Sequence, residues 1–345
     1  SIEHKLGIHA SPTAVMAYGD HGGAIGYLVG QENRGLEYMF IMMNAARYGV
    51  GLEGVADGER AYQRAVTYAR DRIQGTDIGV RGGGKVAIIN HPDVRRMLMS
   101  MRSQVEATRA LAYVVGAAHD AAVHHPDPEV KKQNQAFVDL MIPVVKGWST
   151  EVGVEVATTG VQVHGGMGFI EETGAAQHLR DVRISTIYEG TTGIQANDLI
   201  GRKMAREGGA TIKTVINQMR ITEAGLKQAG GQLAAIGEAL GQGVAAVERS
   251  VAHILAGYGN DIANVSVGAV PFLKLMGIVS GGWQMGRAAL SAQAKIAAGE
   301  SDAFYPSKII TARFFADHVL ATAPGLAQIV VNGGASALEI AEEML

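Results

Sequence analysis

The sequence predicts a mostly α-helical protein with a short β portion at its beginning and an extra helical unit at its end. Residues 1–30 contain two alternating runs, TAVMAYG and AIGYLVG, which a His-Gly-Gly turn separates as in a β-hairpin. From Leu36 onward, apolar residues recur at helical spacing. Beyond residue 205 the chain becomes rich in Ala and Gly and keeps the helical period. We therefore expect three parts, at 1–34, 35–204 and 205–345.

The composition excludes several classes of function. The chain has 345 residues, of which 47% are hydrophobic and 18% charged, enough to bury a sizeable core. Its net charge of -3, with acids and bases interspersed, gives no electrostatic reason to expect nucleic acid as a partner. The absence of cysteine excludes disulfides and thiol chemistry, and with the lack of a basic-then-apolar leader it favours a cytoplasmic location.

Two further expectations concern the ends of the chain. The longest uncharged stretch, 319–338, contains Pro324 and Asn332 and is a poor membrane span, so we expect no transmembrane segment. The chain opens in the middle of a β pattern, which favours a fragment of a longer protein.

The helical part divides at proline and glycine. The stretch 36–73 has the pattern of one very long helix or two in series, and its small residues Gly49, Gly51, Gly54 and Gly58 suggest close helix approach. Residues 75–90 should form a loop. Further helices are expected at 92–124, 128–163 with a possible kink at Pro143, 173–187 and 191–204.

Two motifs match a phosphate-binding loop and a metal site, but the surrounding sequence disfavours both interpretations. Gly79 to Lys85 satisfies G-x-x-x-x-G-K, but Val86 stands where a phosphate-binding loop needs a hydroxyl, and a helix rather than a strand precedes it. His119, His124 and His125 do not share one helical face, so a solvated helix end explains them better than a metal site.

A stronger candidate begins at HGGMGF, residues 164–169. A glycine cluster between helices lets backbone amides approach an anion, although a tight interhelical turn explains it equally well. Within the next residues follow Arg180, Arg183 and the turn IYEGTTGIQ, which contains Glu189. That acid has an ordinary alternative role at a helix N-terminus, where Thr191 or Thr192 would cap the next helix.

The run QVHGGMGFIEETGAAQHLRDVRISTIYEGTTGIQ resembles the C-terminal core of the acyl-CoA dehydrogenases. That family has, in this order, a Q-x-x-G-G-x-G loop, an L-x-R-D-x-R helix and an I-Y-E-G-T turn. KLGIHASPT is similar to a strand of the family's middle β domain, VGQENRGLEYMF to the entry of its first long helix, and YARDRIQG to its Y-A-x-x-R-x-Q-F-G element, without the aromatic. The long 75–90 loop and residues 205–345 resemble the subgroup with a C-terminal extension, which includes the 3-methylmercaptopropionyl-CoA dehydrogenases.

The resemblance implies a flavoprotein of fatty-acid β-oxidation and a role for each matching residue. Glu189 matches the base that removes the α-proton of an acyl-CoA thioester while the β-hydrogen leaves as hydride to the flavin. Its backbone amide would polarise the thioester carbonyl. Gly193 stands where the family often has glutamine. Substrate contacts are implied for Asn44, Arg47, Tyr188 and Gly190, and FAD contacts for Arg72, Gln74, Gln162, Gly165, Gly166 and Thr191. Without the resemblance, Arg47 and Arg72 would by default be solvated.

The partners implied are an acyl-CoA, FAD, an electron-transfer flavoprotein, and a second copy in a homodimer or dimer of dimers. Two alternatives remain open: an acyl-CoA oxidase, whose flavin is reoxidised by oxygen, and a non-catalytic helical module for oligomerisation. Glu189 distinguishes the non-catalytic module from an enzyme, because a protein that only oligomerises does not need an acid in this turn. For residues 205–345 we expect oligomer contact first and docking at a membrane surface second.

Overall fold

The computed structural model describes all 345 residues and is mostly helical, as predicted. Two short antiparallel strands, β1 (Ile73–Thr76) and β2 (Lys85–Ala87), form the one sheet. The helices are α1 (Gly35–Asp71), α2 (Pro92–His124), α3 (Pro128–His164), α4 (Ala175–Val182), α5 (Thr192–Ile200), α6 (Ala210–Ala229), α7 (Gly231–Gly257), α8 (Ile262–Val267), α9 (Ala269–Ala297), α10 (Phe304–His318), α11 (Ala323–Asn332) and α12 (Gly334–Leu338).

The residues before α1 do not form the predicted β-hairpin. A single isolated bridge joins Ile2 to Ala14, and almost every side chain in 1–34 is exposed, including Tyr27, which is 89% exposed. An isolated two-stranded hairpin is marginal without further strands to pair with, and no strand pairs with this segment, which contacts α4 at Gly7 and Ile8. The alternating pattern was therefore wrong as a prediction of paired strands within this chain.

Helices α1, α2 and α3 pack on one another and form the centre of the first half. Glycine allows α1 and α3 to approach closely: a Cβ on Gly54 would lie 2.4 Å from the carbonyl oxygen of Ser149, and one on Gly51 would lie 2.7 Å from Val145. Gly49 has open space beside it, so the expectation of close approach is wrong there. Helix α3 runs on through Pro143, which is buried inside it.

The second half, α6 to α12, is packed against the first through α9. Trp148 of α3 fits against two glycines of α9, since a Cβ on Gly277 would lie 2.1 Å and one on Gly281 2.4 Å from its indole ring. Between α2 and α10, Lys308 Nζ donates to Glu106 at 2.6 Å. One continuous apolar core therefore extends through both halves, and the extension is not separated from the bundle by a polar boundary.

The apolar stretch Phe304–Asn332 has the length and composition of a membrane span. It consists of two helices, α10 and α11, with a short 3-10 turn at Leu320–Thr322 between them. Both helices pack against α7 and α9. The expectation that this protein has no transmembrane segment stays a prediction.

The loop 75–90 is not entirely irregular as expected, because β1 and β2 pair at its two ends. Between them, residues 77–84 are almost all exposed. After α3, a 3-10 helix at Gly165–Phe169, α4 and another 3-10 helix at Arg183–Thr186 lead to the turn that contains Glu189. Helix α4 is shorter than predicted because the chain tightens from α to 3-10 geometry at Arg183.

Candidate active site

The turn between Thr186 and α5 holds Glu189 in a conformation that glutamate rarely adopts. Its φ is +55°, in the left-handed region, and the following Gly190 has a φ of +86°. A non-glycine residue in this region costs of order 1–2 kcal/mol and persists where surrounding structure imposes it. The turn therefore has to be held in place by its neighbours.

Glu189 is not the cap of α5. That role belongs to Thr191, whose Oγ1 accepts a hydrogen bond from the Ile194 backbone N–H at 3.3 Å. The half-buried Glu189 carboxylate forms no hydrogen bond and no salt bridge within the chain, and its backbone N–H has no acceptor either. The expected cap by Thr191 is therefore present, Glu189 itself does not cap the helix, and both of its polar groups remain free to meet another molecule.

The two carbonyl groups of the turn, in contrast, are fully engaged. Lys146 Nζ, from the centre of α3, donates to the Gly190 carbonyl at 2.7 Å. Gln195 Nε2 donates to the carbonyls of both Glu189 and Gly190 at 3.2 Å. Next to them, Thr192 Oγ1 donates to Glu151 Oε1 at 2.6 Å. The backbone of the turn is thus held by α3 and α5 while the Glu189 side chain is left unpaired.

Further carboxylates lie on the α1 side of the turn. The Tyr188 hydroxyl donates to Glu53, and burial together with this bond raises the pKa of Tyr188. Burial, followed by the negative charges of Asp181 and Glu53, raises the pKa of Asp57 to about 6. Asp181 itself accepts a hydrogen bond from the Ile8 backbone N–H at 2.7 Å. Tyr188 therefore joins the turn to a group of acids on α1 and α4.

The predicted substrate contacts on α1 lie in different environments. Asn44 is half-buried and its side chain makes no hydrogen bond, so its amide is available. Arg47 is buried, 5% exposed, and pairs with Asp198 at 3.1 Å, which contradicts the default view of a solvated arginine. Asp198 also accepts from Arg202 at 2.5 Å. A direct contact between Arg47 and a substrate stays a prediction.

A second corner contains several of the predicted FAD contacts. Gly165 ends α3 with a φ of +59°, and nothing lies within 4 Å of a Cβ placed on it or on Gly166. His164 stacks on Tyr68 with ring centroids 4.4 Å apart, and the Arg72 guanidinium lies 5.2 Å from the centroid of the same Tyr68 ring. The structure thus joins Arg72, from the end of α1, to the glycine loop after α3.

The remaining predicted cofactor residues lie at the surface. Gln162 is exposed one turn before the glycine loop. Gln74 is exposed in β1, and its backbone carbonyl accepts from His91 Nε2 at 2.7 Å. Thr191 is exposed at the Glu189 turn, where its hydroxyl caps α5. The cofactor residues therefore form two groups, at the glycine loop and at the turn.

Neither of the rejected motifs acquires a site in three dimensions. Gly79 to Lys85 lies in the exposed loop between β1 and β2, and no α-helix follows it directly. No group of three or more His, Cys, Asp or Glu side chains is placed to hold a metal ion.

The sequence interpretation missed Lys146, Glu53 and Asp57. Lys146 did carry a signal, because it is the one charged residue within the apolar helical run MIPVVKGW, where a polar side chain has to find a partner. Glu53 and Asp57 carried none, since their neighbours Tyr188 and Asp181 lie far away along the chain.

Residues 33–204 match the family described as "Acyl-CoA dehydrogenase, C-terminal domain", and residues 209–341 match the one described as "Acetyl-CoA dehydrogenase C-terminal like". The chain is 51% identical over 320 residues to a 3-methylmercaptopropionyl-CoA dehydrogenase of Ruegeria pomeroyi, covering 93% of this chain and 54% of that protein. It is 35% identical over 333 residues to a broad-specificity linear acyl-CoA dehydrogenase of Mycobacterium tuberculosis, with the same coverage of each chain. The chain therefore spans about half the length of these curated relatives.

The fold has a solved counterpart. An acyl-CoA dehydrogenase of Bacillus anthracis, crystallised with FAD, superposes with a TM-score of 0.73 at 20% identity and covers 100% of this chain and 57% of that one. The match extends through the helices after residue 205, so this arrangement of bundle and extension exists in a known structure. The resemblance drawn from the ordered motifs, including the extension, is confirmed.

Proposed function

Because the chain belongs to the acyl-CoA dehydrogenase family, of which it carries the C-terminal domains, we propose that it forms part of an FAD-dependent acyl-CoA dehydrogenase in which Glu189 is the catalytic base. The observation that carries this proposal is the turn itself. Its carbonyls are bonded to Lys146 and Gln195, while the Glu189 carboxylate and N–H have no partner in the chain. An acid kept unpaired in a strained turn suits proton removal better than capping.

The free groups of Glu189 have complementary uses. The carboxylate would take the α-proton of an acyl-CoA thioester. The unpaired N–H would donate to the thioester carbonyl, on which negative charge develops as that proton leaves. A rigid backbone helps both, since the two groups then need no reorganisation during the reaction. Tyr188, Gly190 and Asn44 would line the substrate, with Arg47 behind them.

The glycine corner fits part of the cofactor. Gly165 and Gly166 are exposed and leave open space where a Cβ would stand, and the Arg72 cation lies over Tyr68, which stacks on His164 directly before them. Such a corner suits the pyrophosphate or adenosine part of FAD, with Gln162 and Gln74 at its edges and Thr191 toward the flavin at the turn. FAD, when bound, would supply the acceptor for the β-hydrogen that leaves as hydride.

The wider assignment follows the same reasoning. We propose a homo-oligomeric, cytoplasmic enzyme that passes its electrons to an electron-transfer flavoprotein. The acyl-CoA oxidase alternative differs only in the electron acceptor. A non-catalytic helical module is disfavoured by the unpaired Glu189, because oligomerisation would not require a strained and unpartnered acid.

The substitution Glu189→Gln tests the role of the base. In the full-length protein that contains this chain, it should lower kcat for an acyl-CoA by about 100- to 10,000-fold, because the amide cannot accept the proton. FAD should stay bound, as measured by its visible absorption after gel filtration. Glu238→Gln, an exposed acid of α7, serves as control and should keep full activity. Wild-type turnover in Glu189→Gln would contradict the proposal.

A second measurement identifies the substrate and the acceptor. Turnover should be compared on 3-methylmercaptopropionyl-CoA and on linear acyl-CoA thioesters, with an electron-transfer flavoprotein as acceptor. Oxygen consumption in the same reactions measures the acyl-CoA oxidase activity that the alternative predicts. Reduction of the flavoprotein without oxygen uptake supports the dehydrogenase, and oxygen uptake at the full rate supports the alternative.

A further inference from the structure

Lys146 is a completely buried lysine in the middle of α3, with an exposed fraction of 0%. Its ammonium forms one hydrogen bond, to the Gly190 carbonyl at 2.7 Å, and no salt bridge. Lys308, which is only partly buried, pairs instead with a carboxylate, Glu106, at 2.6 Å. Lys146 is therefore unusual both in its burial and in its choice of a backbone carbonyl as its partner.

Burying an ammonium group is costly, because the charged form loses its hydration. Burial, and after it the positive charge of Arg47, lowers the pKa of Lys146 to about 8. Three carboxylates favour its charged form: Glu151 on α3, Glu189 in the turn and Glu53 on α1. The cost of burial is offset at the turn, where a charge-assisted hydrogen bond is about twice as strong as a neutral one.

We propose that Lys146 is a positioning residue for Glu189, which it keeps in the reactive geometry by fixing the Gly190 carbonyl from inside the bundle. Gln195 binds the same carbonyl from α5, so the strained pair of residues is held from two elements. Without Lys146, Gln195 alone holds these carbonyls, and the Glu189 backbone relaxes more readily out of its positive φ. This inference rests on the proposed role of Glu189 as the base.

The substitution Lys146→Met tests the inference in the full-length protein, because methionine keeps most of the volume and removes the donor. We expect kcat to fall about 10- to 100-fold with KM changed less than about three-fold, since a small displacement of a base acts on the chemical step. Hydrogen exchange in the segment 187–195 should accelerate roughly 10-fold, with the rest of α3 unchanged. Lys308→Met, which removes a partly buried lysine that bonds to Glu106 of α2 and not to the turn, should alter neither.

A second variant, Lys146→Leu, covers the case in which Lys146→Met does not fold, because it removes the same donor with a shorter side chain. In whichever variant folds, exchange in 187–195 should accelerate and kcat should fall, since the Gly190 carbonyl loses its bond to Lys146. An unchanged turn in that variant would overturn the inference. If Glu189 is not the base, the Glu189→Gln variant will keep its activity, and this result is distinct from an unchanged turn in a Lys146 variant.

Discussion

The turn 187–195 and the loop 79–85 are both glycine-bearing segments with a charged residue, yet only one of them is built into a site. In the turn, Lys146, Gln195 and Glu53 reach in from three helices and bind its backbone or its side chains. In the loop, bonds are local, such as Gly79 N–H to Asp77 at 3.1 Å, and the side chains are exposed. A sequence motif can form a binding or catalytic site only when other elements of the fold hold it in one geometry.

The largest expected contrast is between Gly190→Ala and Gly82→Ala, since both glycines have positive φ, +86° and +77°. A Cβ on Gly190 would lie 3.0 Å from Gln195 Nε2, whereas nothing lies within 4 Å at Gly82. We expect Gly190→Ala to lose about 2 kcal/mol of unfolding free energy and about 100-fold in kcat. Gly82→Ala should cost about 1 kcal/mol and leave kcat unchanged. Urea unfolding measures the loss of stability in each variant, and a turnover assay measures the loss of kcat. Equal losses in the two variants would show that the turn is no more constrained than the loop.

Much of the fold on which this contrast rests could be predicted from the sequence. The helices at 92–124 and 128–163 agree with α2 and α3 to within a residue, because each starts at a proline and has a long apolar period. The alternating pattern before α1 led to the wrong prediction of a β-hairpin. Alternation indicates which face of a strand would be buried, but it does not show whether the strand has a partner to pair with. The pair β1 and β2 was missed because its strands have only four and three residues.

The candidate site could be proposed from the sequence where its residues form one contiguous run, and it was hidden where it depends on contacts that only folding makes. The motif around Glu189 is contiguous, so its residues could be assigned by resemblance. The ion pair of Arg47 with Asp198 joins residues 151 positions apart, and no pattern along the chain indicates it. Lys146 was detectable as a charge in an apolar helix, but its partner Gly190 is 44 positions away.

A smaller effect is expected from Thr192→Val, which removes the hydroxyl that donates to Glu151 at 2.6 Å beside the turn. The isosteric change should cost about 1–2 kcal/mol of unfolding free energy, because a hydrogen bond to a charged group is lost at a buried position. Thr76→Val, at an exposed position next to the loop, should change the unfolding free energy by less than about 0.5 kcal/mol. Urea unfolding of the two variants measures the difference, and equal costs would contradict the comparison.

The acids beside the turn give a pH-dependent prediction. The pKa of Asp57 is raised to about 6 in the folded chain, against about 3.9 in an unfolded one. The folded state therefore binds this proton more tightly, and the contribution of Asp57 to stability falls as pH rises from about 4 to about 6. Asp57→Asn should stabilise the protein at pH 7–8 by about 1 kcal/mol, a figure reduced for solvent screening of a half-buried group. Thermal unfolding should show no such gain near pH 4; a gain of equal size at both values would assign it to packing.

The smallest effect is expected from Lys85→Met, which removes the lysine of the G-x-x-x-x-G-K match. Lys85 is exposed as the first residue of β2, and it forms no hydrogen bond or salt bridge through its side chain. A phosphate-binding lysine requires a loop between a strand and a directly following helix. Strand β1 does precede this loop, contrary to the expected helix, but Lys85 begins the strand β2 and not a helix. The substitution should therefore change unfolding free energy by less than about 0.5 kcal/mol and leave kcat within about two-fold. Comparison of Lys85→Met with Lys146→Met distinguishes a lysine that only matches a sequence motif from one that is buried against the turn. A comparable loss of activity in both variants would contradict this distinction.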